Sequence, residues 1–400
     1  MFQVKRLFLV PTLLCALTLN AQTTNVEGSN YVFKEIYNYE SSPVLNQGRS
    51  STCWSFSCMS FMESELMRLG NKKQVNLSEM FIVRKAYELK AEKFIRMDGK
   101  INFGQGGAFH DIPFVIKNFG IVPYDIYKGK SDSKSVYNHD SIYAQCESFV
   151  NGLMSKASNP EGLDLSWKKD FGKILDQHLG SDIQDFTWEG KKYTPKSYAE
   201  SIGLNMNDYV SITSFTNHPM NSKCLLEIPD NWAWGESYNV SLDDLVDATI
   251  NALKNGYTVA WGADVSEKGF SFKNGLAIVP KNQNSIVMSG KDNKGFNDAG
   301  ADRQGNQFLN PGEELKITQE IRQLGYDNKT TTDDHGMHIV GLFKDQNGMN
   351  YFLVKNSWGT GNYPKGYLYV SENYFRYKTI NVYLHKDGIS AELKSKLSVK

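Results

Sequence analysis

The spacing of apolar residues changes character along this chain, and that change limits the folds open to it more than any other feature. From Thr52 onward, Cys53, Phe56, Met59 and Leu66 fall at helical intervals, with a hydroxyl residue in front and Gly70 behind. A buried helix with a hydroxyl cap and a glycine stop is predicted there. A second helix is predicted from Ser78 through Met80, Ile82, Ala86 and Leu89, and a third from Pro113 to Phe119, closing at Gly120. The last third reads differently. Segments 338–342, 351–355, 367–370 and 380–384 are β-branched and aromatic runs separated by turn residues, the pattern of an antiparallel sheet or barrel. Helices gathered in one part and strands in another define an α+β chain.

Between the two parts, residues 129–235 are charged and mixed, with helix-like stretches such as 165–179, and carry no motif with assignable chemistry. They read as an insertion. A helix from Leu242 to Leu253 leads through Asn255-Gly256 into a buried strand at 257–265. Residues 292–312, rich in Gly, Asn and Asp, read as a loop whose acids miss the alternate positions of an EF-hand.

Lys plus Arg and Asp plus Glu both number 44, so the chain has no net field to draw in a polyanion, and no nucleic-acid partner is expected. Lys5 and Arg6, an apolar run from Leu7 to Leu19 and the small Ala21 describe a secretory signal peptide cleaved near Ala21. That run is too short for a comfortable membrane span. The expectation is a secreted or periplasmic protein without stable membrane insertion after cleavage. Beyond the signal only Cys53, Cys58, Cys146 and Cys224 remain, too few for a disulfide scaffold. Cys146 and Cys224 either pair after export or stay as thiols. Oligomeric state is not legible, and a homo-oligomer is compatible with the chain.

Cys53 opens a helix, where the dipole favours a thiolate. Its N–H and the side-chain amide of Gln47 upstream form a candidate oxyanion site. Taken alone, a cysteine on an apolar helix is as easily a packed small hydrophobe. A second cluster tips the balance: Asp334-His335 opens one predicted strand, and Asn356-Ser357-Trp358-Gly359 follows the next. A hairpin brings Asn356 against His335, where an amide oxygen fixes the tautomer and plane of the imidazole. Cys58, on the same helix as Cys53, turns away into packing. His110, His139, His178, His218 and His385 show no ligand spacing, so neither metal nor cofactor is expected.

Gln47, Cys53-Trp54, Asp334-His335 and Asn356-Ser357-Trp358-Gly359, in that order, resemble the papain superfamily. The resemblance implies a two-lobed fold, with a helical lobe carrying the nucleophile helix and an antiparallel β-barrel lobe carrying His335 and Asn356. It divides the chain into a signal peptide (1–21), an N-terminal segment and helical lobe (22–128), a large, mostly helical insertion (129–235), the β-barrel lobe (236–385) and a tail (386–400). It also implies Cys53 as nucleophile, His335 as base and acid, Asn356 as its orienter and Trp358 as a shield, with Trp54 and Asp334 in support. Gly106-Gly107 would offer backbone to an extended peptide. Asp334 before His335 and Val340-Gly341 after it match the family frame, which selects His335 over His338, three residues on and facing the other side of a strand.

Within the superfamily the chain is most similar to the bleomycin hydrolase and aminopeptidase C group, through Ser50, Asn46-Gln47, the long insertion, 259–265 and 367–375. The function implied is a cysteine peptidase acting on peptide substrates, with aminopeptidase activity slightly ahead of endopeptidase activity; the export read from residues 1–21 departs from the cytoplasmic habit of the group. An idle papain-like scaffold that binds peptides is the alternative from another class. The group closes its cleft with a C-terminal arm, and here only residues 386–400 follow the last strand, much of them predicted helical.

Overall fold

The computed structural model describes residues 23–70, 75–129, 136–157, 162–286, 288–291, 299–301 and 307–399. The signal peptide expected at 1–21 lies outside the described residues. Ten helices occur among them: α1 (Cys53–Arg68), α2 (Glu79–Arg96), α3 (Asp111–Phe119), α4 (Asp140–Lys156), α5 (Trp167–Leu179), α6 (Pro195–Ser201), α7 (Leu242–Lys254), α8 (Gln319–Asp327), α9 (Glu372–Lys378) and α10 (Ala391–Leu397). None is long and apolar enough to cross a membrane. The strands are β1 (Lys34–Asn38), β2 (Phe186–Trp188), β3 (Lys191–Tyr193), β4 (Tyr209–Thr213), β5 (Ser222–Leu225), β6 (Glu236–Asn239), β7 (Val259–Ala263), β8 (Phe270–Ser271), β9 (Leu276–Ala277), β10 (Met288–Lys291), β11 (Ala299–Ala301), β12 (His335–Lys344), β13 (Asn350–Lys355), β14 (Tyr367–Ser371) and β15 (Thr379–His385).

Helical starts and stops follow the sequence closely. Ser78 caps α2 by accepting from the Phe81 N–H, and α3 ends at Gly120 with φ +84°. α1 departs from expectation at its cap. The Thr52 side chain makes no capping bond to the helix, because its Oγ1 lies 2.5 Å from Ser50 Oγ. α1 is buried along nearly its whole length, packed against α2 on one side and β12 on the other. One core joins α1 to α6, with Phe61, Phe81, Ile112 and Phe171 at its centre; a second lies beneath the sheet around Trp261, Phe352 and Phe375.

The main sheet runs β5-β6-β4-β15-β7-β12-β13-β14-β9-β8, with β1 added to the far end of β12. All its neighbours are antiparallel except β4 with β6 and β9 with β14. Four strands lie inside the stretch expected as an insertion. β2 and β3 pair only with each other, whereas β4 pairs with β15 and β5 with β6, so 209–225 belongs to the sheet lobe and the part before it packs into the helical core. A further departure lies in 292–312, where β11 pairs with β10 as a short hairpin within the expected loop. The tail forms the expected short helix, α10, but Leu393 and Leu397 sink into the sheet-side core. That docking takes α10 out of the cleft. Cys53, Cys58, Cys146 and Cys224 are all buried free thiols.

Candidate active site

Cys53 stands at the first turn of α1, whose N–H groups have no carbonyl partners within the helix. β12 reaches it because Gly336 carries no side chain: a Cβ there would lie 2.8 Å from Ser57 Oγ and 3.2 Å from Trp54 Cα. Cys53 and His335 thereby line one cleft of about 270 Å³, together with Trp54, Gly106, Gly107 and Asp334.

The imidazole is held from behind. His335 Nε2 lies 2.7 Å from Asn356 Oδ1, and the same oxygen accepts from the Ser357 N–H at 2.7 Å. An atom that accepts from a backbone N–H is the amide oxygen, so the imidazole must donate to it. In neutral His335 the proton therefore sits on Nε2 and the lone pair on Nδ1. The hairpin of β12 and β13 supplies this geometry, pairing His338 with Lys355 so that Asn356 follows just past the last rung. The Trp358 ring tilts over His335, with centroids 4.7 Å apart.

Gln47 is buried and doubly tied to the same strand end. Its N–H donates to the Ser357 carbonyl at 2.8 Å, and its Oε1 accepts from Ser357 Oγ at 2.6 Å. With the oxygen occupied, the amide's remaining polar group is a donor, as an oxyanion requires. Trp54 Nε1 donates to the Gln105 carbonyl at 3.2 Å, and Gly107 lies flat on its ring, where a Cβ would meet it at 2.8 Å. Burial would raise the Asp334 carboxyl, but hydrogen bonds with Asp264, with the Ser266 and Thr332 hydroxyls and with the Val265 N–H hold it below the usual range. It anchors the start of β12 rather than touching the imidazole.

Burial pushes the Cys53 thiol up to about 12, against the pull of the Gly336 backbone, and His335 down to about 4, against the Asn356 hydrogen bond and the Asp334 charge. His338 faces the other way, fully buried, with Nδ1 2.9 Å from Ser60 Oγ and its ring edge-on to Phe61. Among the described residues no three His, Cys, Asp or Glu side chains gather to hold a metal ion.

Three features of the site were missed from sequence. Ser357 fixes both Gln47 and Asn356, and Asp333 and Asp230 line the cleft opposite the thiol. Asp333 and Ser357 each adjoin a residue that was singled out, whereas Asp230 sits in a stretch with no motif at all.

Residues 15–291 and 314–400 match the Peptidase C1-like family. Bleomycin hydrolase of Mus musculus is 22% identical across 92% of this chain and 85% of its own length. Aminopeptidase C of Lactococcus lactis subsp. cremoris is 22% identical, and aminopeptidase W of Lactobacillus delbrueckii subsp. lactis 23%, each across 88% of this chain and 82% of its own. The crystal structure of pepw from lactobacillus rhamnosis superposes with a TM-score of 0.67 at 19% identity, covering 91% of this chain and 84% of that one.

Proposed function

The chain belongs to the Peptidase C1-like family and is a papain-like cysteine peptidase, and from that premise we propose that it is an exported aminopeptidase using Cys53, His335, Asn356 and Gln47. Supporting the site is the hydrogen-bonded line from Gln47 through Ser357 to Asn356 and His335, ending in the cleft that holds the thiol. The Cys53 sulfur attacks the peptide carbonyl while His335 Nδ1 takes the thiol proton. The oxyanion forms against the Cys53 N–H and the Gln47 amide. His335 returns the proton to the leaving amine, and water then releases the acyl group along the same path. Separating charge in so dry a site is favourable only as a thiolate–imidazolium pair, which the Asn356 oxygen and the α1 dipole both favour.

Aminopeptidase preference is supported by the names of the relatives. Export is supported by the basic, then apolar, start of the sequence. The specificity is tested by incubating the purified protein with a peptide bearing a free N-terminus and with its acetylated twin. The free peptide should shorten one residue at a time and the twin should persist. Internal cuts in both at equal rates would make the protein an endopeptidase.

Variants behind the thiol have separable effects. Asn356→Ala should slow kcat by up to about 10²-fold without abolishing it, since the imidazole remains but loses its orientation. Gln47→Ala should lower kcat on the order of 10²-fold or more. A change confined to KM for Gln47→Ala would remove it from the oxyanion site.

A further inference from the structure

Building on the aminopeptidase reading, we propose that segment 226–235 closes the cleft on the side of the substrate's N-terminus and that Asp230 and Asp333 receive the free α-ammonium there. The substrate class is thus peptides with an unblocked N-terminus. Asp230 rests directly on the glycine wall: a Cβ on Gly106 would fall 1.7 Å from Asp230 Oδ2, so carboxylate and backbone are in contact. An extended substrate running along Gly106-Gly107 meets that carboxylate as an obstruction. The short occupant that remains presents its N-terminus to the same group.

The segment is built to stay in place. Asn231 Nδ2 donates to the carbonyls of Leu226 and Gly235, and its Oδ1 accepts from the Gly235 N–H. Trp232 is buried in the helical core, the Tyr326 hydroxyl donates to the Glu227 carbonyl at 2.5 Å, and Asn102 Nδ2 donates to Asp230 Oδ1 at 3.1 Å. These ties come from the helical lobe on one side and from α8 on the other.

Charge in this half of the cleft is unbalanced. Asp230 and Asp333 line it and Asp111 stands just behind Gly107, while the cations near them among the described residues are Lys90, which feels Asp230 and Asp111, and Lys93, which feels Asp111 alone. Lys90 Nζ is engaged by the carbonyls of Gly104 and Gly106 and forms no ion pair with these acids among the described residues. Asp333 has no hydrogen bond or ion pair among the described residues, and its neighbours in charge are Asp230, Asp334 and Asp111, so its carboxyl is held well above the usual range by burial first and by those acids next. A cation entering the cleft relieves this repulsion. The α-ammonium, protonated near neutral pH with a pKa of about 7.7–8.0, is the cation a peptide brings.

The test compares the free and acetylated peptides on the full chain and on Asp230→Asn and Asp333→Asn variants, with active thiols counted by an irreversible alkylating reagent. Each variant should lose at least about ten-fold in kcat/KM on the free peptide, mainly through KM, and keep or gain activity on the acetylated twin. If both variants keep the wild-type ratio of free to acetylated cleavage, the ammonium site is overturned while the aminopeptidase reading stands. A wild-type enzyme indifferent to acetylation overturns both. Should Asp230→Asn fail to fold, Asp333→Asn, on a different segment, decides alone.

Discussion

Cys53→Ala protein folds and melts near the wild-type temperature but turns peptides over at least on the order of 10⁴-fold more slowly. The asymmetry follows from where the sulfur sits. Removing one buried thiol at a helix start takes away a small apolar contact and weak hydrogen bonds with the Gly336 and Trp54 backbone, while the bonds among Gln47, Ser357, Asn356 and His335 stay in place. The covalent step, by contrast, has no substitute, since the remaining donors can polarise a carbonyl but cannot attack it. Steady-state rates beside a thermal melt check both halves. Turnover near the wild-type rate would place the nucleophile elsewhere.

Exchanging the two histidines of β12 for alanine should give opposite phenotypes. His335→Ala loses turnover to a degree comparable with the cysteine variant, because a thiol held at about 12 by burial cannot ionise without a base beside it. His338→Ala keeps its turnover per folded molecule and loses stability, by about 2–4 kcal/mol, because it opens a cavity against Phe61 and removes one of the two partners of Ser60 Oγ, leaving it Lys355 Nζ alone. Denaturant titration and kcat on the same preparations separate the two. The reverse pattern would show that His338 is the base.

How much of this was legible in the sequence depends on the range of the interaction. The helices around Cys53 and Ser78 were readable because apolar spacing and caps are local, although Thr52 bonds to Ser50 instead of capping. The strands 335–385 were readable for the same reason, and the pairing of His335 with Asn356 followed from a single hairpin. What escaped depends on contacts between distant segments. No local pattern tells that Asp230 lies on Gly106, or that 209–213 pairs with 382–385, because those contacts are decided by packing of elements far apart in the chain. The docking of the tail was no more legible: its short helix was readable from local pattern, but not that Leu393 and Leu397 fasten it to the sheet-side core.

The position of β15 has a consequence for how the molecule comes into being. It lies between β4 and β7, so residues 379–385 form a central rung that joins strands made much earlier in the chain. Until they emerge, β4 through β6 have no partner linking them to the rest of the sheet, and every attachment across that rung spans well over a hundred residues of chain. Such long-range closure is slow. The sheet thus stays open until residues 379–385 are in place, and the cleft, which Asn381 of that strand helps to line, is completed only with them.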